Sequence, residues 1–163
     1  MTKWVTRERP KIDRIACPWL IRRFVEPDAE FLYVPTNQVF AVAKETGATP
    51  YDIPGAEPFS HDGEFCSFDA FIKRYDLKDP ALDRLAVIVR GADTARHDLA
   101  PEASGLHAIS MGLSANIADD HAMLEQGMVI YDALYAWCRG AAGEIHSWTP
   151  PKESWTPAPE SVP

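Results

Sequence analysis

Asp13-Arg14-Ile15-Ala16-Cys17-Pro18-Trp19-Leu20-Ile21-Arg22-Arg23-Phe24 is the stretch on which the reading of the fold turns. It reads as a helix that is apolar nearly all round yet carries three arginines. Asp13 can cap its start, because a carboxylate there accepts from the free N–H groups of the first turn. Pro18 removes one intrahelical hydrogen bond and predicts a kink or a restart at that point. At about 100° per residue, Ile15, Trp19 and Arg23 share one arc, while Arg14, Pro18 and Arg22 line another. Arg23 therefore falls among apolar neighbours, where an unpaired guanidinium is costly. Its anion comes either from carboxylates elsewhere in the chain or from a ligand.

Working outward, Lys3 to Arg7 alternates weakly and reads as a first strand, ended by Pro10. Beyond the helix, which should stop before Pro27, Glu30 to Val34 is rich in aromatic and β-branched residues and reads as a second strand. Residues 37–45 form a short helix, and 51–55 a short strand running into a turn. From Phe59 on, the pattern is helical: 67–75 capped by Ser67, a helix opened by Asp79-Pro80 and ended by Arg90-Gly91-Ala92-Asp93-Thr94, then 101–118, then 120–139. The predicted fold is α+β and mainly helical, with a small N-terminal sheet packed against a helical C-terminal two-thirds. Residues 1–143 form one domain. Residues 144–163, dense in proline and carrying Trp148 and Trp155, are expected to be an extended tail.

With 163 residues, 46% hydrophobic and 25% charged, the chain suits one soluble globular domain. The net charge of -8 argues against a nucleic-acid-binding surface. Neither a membrane span nor a signal-peptide core is visible, so the protein is expected to be cytoplasmic, without a membrane partner. Cys17, Cys66 and Cys138 form no Cys-x-x-Cys pair, which removes a disulfide framework or zinc ribbon from consideration.

Four places could carry chemistry. On the last helix, His121 and Glu125 stand four apart and could share a metal ion, though with Asp132 and Arg139 they also make an ordinary solvated stripe. Asp120 projects toward the apolar arc, where it could cap its own helix, pair with Arg23 or Arg90, or be a ligand. His61-Asp62-Gly63-Glu64 is a His-x-x-Glu in a loop. In Arg90-Gly91-Ala92-Asp93, Gly91 could be a left-handed C-cap, or Asp93 a ligand and Arg90 an anion clamp. Cys17, one turn from Arg14, could be an activated thiol, against the commoner fate of a small buried hydrophobe.

The Asp13–Phe24 stretch, Phe59-Ser60-His61, Cys66-Ser67-Phe68-Asp69, Arg90-Gly91-Ala92-Asp93, Asp119-Asp120-His121 and Tyr131-Asp132-Ala133-Leu134-Tyr135 together resemble the C-terminal domain of ChrB-type chromate-resistance proteins, in order and over most of the chain. The resemblance implies a role in bacterial chromate or metal stress, usually beside a chromate transporter. Longer members carry an N-terminal region linked to transcriptional regulation; this chain is expected to lack it, and DNA binding is not expected of these residues.

The resemblance raises the polar motifs, which fall at loop or helix ends and so could converge. The expected site is a divalent transition metal, Mn²⁺, Fe²⁺ or Zn²⁺, held by His61, Glu64, Asp120 and His121, with Glu125 and Asp93 in reserve. Arg14, Arg22, Arg23 and Arg90 would orient those carboxylates or hold a small oxyanion. Whether the domain is an enzyme stays open; an open coordination position would activate water or bind a small oxyanion. The alternatives are a non-catalytic chromate sensor built on the arginines, and thiol chemistry at Cys17.

Overall fold

The structure, a computed structural model, describes residues 1–141 and residue 149; the expected tail lies outside them. The chain opens with β1 (Lys3–Arg7), α1 (Asp13–Phe24), β2 (Glu30–Val34), a short 3₁₀ turn, α2 (Val39–Thr46) and β3 (Thr49–Pro50). Four helices follow: α3 (Ser67–Arg74), α4 (Pro80–Asp93), α5 (Ala103–Asn116) and α6 (Asp120–Ala136), the last running into a π-helical turn. This is the mainly helical α+β architecture expected from the pattern. Among the described residues no helix is long and apolar enough to cross a membrane.

The three strands are parallel in the order β2-β1-β3. Alternation along the strands divides the core. Trp4, Phe31 and Tyr33 face the large cluster built by α1, α3, α4 and α6, whereas Val5, Leu32 and Val34 face a smaller one covered by Val39, Val42 and Ala43 of α2. The crossover from β1 to β2 carries α1 over one face of the sheet, and the crossover from β2 to β3 carries α2 over the other. The segments that follow β1 and β3 leave from the same end of the sheet, at the carboxyl ends of these neighbouring parallel strands.

Several elements differ from the sequence reading. β3 is only Thr49–Pro50, because Asp52 takes φ +50° and turns the chain out of the sheet. Helix α4 ends at Asp93, within the stretch expected to close it, but Gly91 is not its left-handed C-cap. Gly91 lies inside the helix, and a Cβ there would stand 2.8 Å from the Cβ of Ala103, so the glycine serves close packing against α5. Cys66, not Ser67, caps α3. Helix α5 stops at Asn116, where the Arg9 guanidinium takes the carbonyls of Ser114, Ile117 and Ala118.

Pro18 sits inside α1, which continues through it as one helix. Proline denies the carbonyl four residues back, that of Arg14, its intrahelical donor. Two tyrosine hydroxyls supply the replacement: Tyr33 donates to the Arg14 oxygen at 3.2 Å and Tyr51 at 3.1 Å.

Candidate metal centre

Four side chains from four separate segments meet beyond the carboxyl ends of β1 and β3. Asp13 is the first residue of α1, Asp52 follows β3, His61 lies in the loop before α3, and Asp93 ends α4. One ligand atom from each lies within 4.8 Å of all the others. Among the described residues this is the group of histidine, cysteine and carboxylate side chains with the spacing to hold an ion.

Local structure fixes each member. The fully buried Asp13 carboxylate accepts from the N–H of Ser67 at 2.6 Å, so it caps α3 rather than its own helix. The Asp13 N–H in turn points at Asp93 Oδ1, 3.4 Å away. Ile12 carries the chain into α1 at φ +49° and ψ −106°, a region that β-branched residues seldom occupy. Asp52 accepts from the Ser67 hydroxyl at 2.6 Å and from Arg7 at 3.1 Å, with Arg14 Nε 3.6 Å away. The loop to His61 is held by Phe59, whose ring meets Trp4 and Phe71 and whose carbonyl accepts from the Asp52 N–H. Farther out, Arg90 grips Asp69 through two hydrogen bonds of 3.0 and 2.8 Å, and Asp69 accepts from the N–H of Cys66 at the head of α3.

His61 Nε2 stands 3.1 Å from Asp93, 3.4 Å from Asp52 and 3.5 Å from Asp13. Ligands at about 2.1 Å from a tetrahedral ion lie about 3.4 Å from one another, so the spacing around the imidazole fits a single small cation. A second observation supports the fit: Asp13 Oδ1 is buried and has no hydrogen-bond partner. A buried, unpaired carboxylate oxygen is costly unless something compensates it. His61 is the exposed member, and it lines a cleft of about 1260 Å³ that also holds Phe65 and Arg90.

The charges match this picture. Burial, followed by the neighbouring Asp93 and Asp52, pushes the Asp13 carboxyl well above its ordinary range. At Asp52 burial acts upward too, but hydrogen bonds from His61 and Ser67 and the Arg7 charge prevail and hold its carboxyl low. The hydrogen bonds to Asp52 and then Asp93 raise His61 to about 10, partial burial working against them. A proton on His61 thus bridges the carboxylates. Since the folded value lies above the ordinary 6.5, the stability His61 contributes is complete below about 6.5 and is lost as pH rises through about 10. The metal-free protein is expected to melt at falling temperature between about pH 7 and pH 10. His61→Gln should flatten that slope in thermal melts; an equal slope in both proteins would count against the bridge.

Of the residues picked from the sequence, His61 and Asp93 lie in the group, joined by Asp13 and Asp52. Asp120 accepts from the backbone N–H of Arg9 at 3.1 Å, pinning the segment that leads to Asp13. His121 is exposed, its ring edge-on to Tyr33, and Glu125 is exposed beside Arg22 at 3.3 Å. Glu64 is exposed on its turn and outside the group. Asp120, His121 and Glu125 lie outside the group because the α6 stripe lies along α1 rather than at the carboxyl ends of the strands.

The arginines are dispersed rather than gathered around one cavity. Arg14 turns to Asp52, Arg22 to Glu125 and Arg90 to Asp69, while Arg23 makes two hydrogen bonds of 2.9 and 2.8 Å to Asp132. Asp132 also accepts from Trp19 Nε1, so the anion that Arg23 required comes from the stripe read as solvated. Cys17 is fully buried, and burial followed by Asp13 pushes its thiol well up, the reverse of an activated thiolate.

Asp13 and Asp52 escaped the sequence reading, although a signal existed. Ligands of parallel sheets bind beyond the carboxyl ends of the strands, where the strand order switches. With the order β2-β1-β3, that place lies between the segments after β1 and β3, and these carry Asp13 and Asp52.

Residues 4–138 match the family described as ChrB, C-terminal domain. Protein ChrB of Cupriavidus metallidurans is 34% identical over 134 residues, which cover 82% of this chain and 40% of that protein. The chain thus spans less than half the length of the curated relative it matches. No solved structure matches it.

Proposed function

The chain belongs to the ChrB C-terminal domain family, and from that premise we propose that it is a metal-binding domain acting in chromate resistance, with Asp13, Asp52, His61 and Asp93 as the ligands of one divalent transition metal. The observation that carries the reading is the convergence of three carboxylates on one imidazole nitrogen, with one buried carboxylate oxygen left unpartnered. Oxygen-rich donors with a single histidine suit Mn²⁺, Fe²⁺ or Zn²⁺ better than a thiolate-seeking ion. Arg7 and Arg14, both against Asp52, offset part of the acidic charge, which favours a divalent over a trivalent ion. The ion takes the place of the proton that His61 shares with the carboxylates, so binding releases protons and tightens as pH rises. The cleft beside His61 gives the metal a solvent-facing side at which a small molecule or water can approach.

Elemental analysis of protein purified without chelator tests this. One equivalent of a divalent transition metal, or its uptake with a rise in Tm on addition, is the expected result. Protein that carries none and takes up none would rule the reading out.

A further inference from the structure

The helix-interior proline is best explained by what it frees. We infer that Pro18 is a positioning residue for the metal centre, acting through the Arg14 carbonyl and the Tyr51 hydroxyl to place Asp52; this rests on the metal-binding reading above. The proline ring both withholds an N–H and crowds the carbonyl of residue 14, so that oxygen lacks the usual donor four residues on. Buried carbonyls need donors, and here Tyr33 of β2 and Tyr51 donate at 3.2 and 3.1 Å.

Tyr51 is fully buried and directly precedes Asp52. Its own backbone is tied to β1 on both sides, its N–H donating to the Val5 carbonyl at 3.1 Å and its carbonyl accepting from the Thr6 hydroxyl at 2.7 Å. The tyrosine ring is thus a strut between β1 and the first turn of α1, the turn that begins with Asp13. Arg14 completes the link from its other end. Its guanidinium lies 3.6 Å from Asp52 and donates to the carbonyls of Arg7 and Glu8. One residue of α1 therefore holds residues 51 and 52 with both its carbonyl and its side chain, and the carbonyl is available because residue 18 is proline. Asp52, at φ +50°, has no regular ladder of its own to hold it.

The test compares metal affinity with stability. Zn²⁺ titrations by calorimetry and Mn²⁺ titrations by electron spin resonance are run on wild type, Pro18→Ala, Tyr51→Phe and the double variant, with melting curves of the metal-free proteins. Pro18→Ala restores a helical N–H that competes for the Arg14 carbonyl, so Tm is expected to hold or rise while affinity falls about tenfold, the scale of losing an outer support of a metal ligand. Tyr51→Phe cuts the same link without altering the helix and should lower affinity similarly. The double variant should lose little more than either single one, because both act on one contact. Unchanged affinity in Tyr51→Phe would overturn the proposal, as would additive losses or losses that merely track Tm. A Pro18→Ala protein that does not fold also counts against it, since the restored hydrogen bond should favour the helix. If wild type binds neither ion, the metal reading itself fails; if wild type binds and the variants bind equally, only the positioning role fails.

Discussion

Asp13→Asn is expected to give a protein that melts at a higher temperature without metal than wild type does, yet binds metal about 100-fold or more weakly, beyond the 10–100-fold typical of losing an outer support. The two effects share one cause. The Asp13 carboxyl is wholly buried and faces Asp93 and Asp52, so its charged form is disfavoured in the folded state. A carboxyl whose pKa is raised by folding costs stability once pH exceeds its ordinary value of 3.8, and at neutral pH that cost is present. Asparagine removes the charge at nearly the same shape. Its oxygen can still accept from the Ser67 N–H, and its amide can donate to the neighbouring carboxylates. Stability therefore rises, as it commonly does when a group strained for function is neutralised. Metal binding declines because the anionic donor has gone. Thermal melts and titrations on the same samples check both halves. Asp120→Asn, His121→Ala and Glu125→Gln serve as comparisons and should leave binding as in wild type.

Gly127→Ala is expected to destabilise the protein by about 3 kcal/mol, near the upper end of overpacking effects. Helices α1 and α6 cross at this glycine, and a Cβ on it would stand 2.1 Å from Ile15 Cγ2. No rotation of a methyl relieves such an overlap, so the helices must separate. For a domain of this size, Tm should drop by about 6–12 °C. Ile15 lies two residues beyond Asp13, so metal affinity should fall with the displacement of α1. In an Ile15→Ala background the added methyl finds room, and Gly127→Ala should then be close to neutral. A full loss of stability in that background would place the strain elsewhere.

Much of the architecture was legible because its signals are local. Prolines and an aspartate–proline pair punctuate the helices, alternating apolar residues mark β1 and β2, and the arginine-bearing helix starts at Asp13 as expected. The site was legible only in part because its geometry is tertiary. His61 and Asp93 stood out as polar groups at element ends. Asp13 did not, since an aspartate before a helix has an ordinary explanation as a cap; here it caps a helix that begins 54 residues later. Asp52 was hidden in a stretch that reads as strand, and only its positive φ turns it toward the centre. The opposite error occurred on α6. Projected on a helical wheel, His121, Glu125 and Asp132 share a polar stripe, but α1 lies along that stripe, so Asp132 receives Trp19 and Arg23 while Glu125 meets Arg22. In the opening helix the arginines are paired by carboxylates, the first residue stands in the cluster with Asp52, His61 and Asp93, and the proline leaves free the carbonyl that two tyrosines occupy.

The most direct test is a metal titration of chelator-treated protein in two sets of variants, those lacking Asp13 or His61 and those lacking His121 or Glu125. Wild type and the second set are predicted to take up one equivalent of Mn²⁺, Fe²⁺ or Zn²⁺ with a rise in Tm, and the first set to take up none at the same concentrations. Uptake that survives the loss of both Asp13 and His61, or that vanishes only with His121 or Glu125, would contradict the site assigned to the carboxyl ends of β1 and β3.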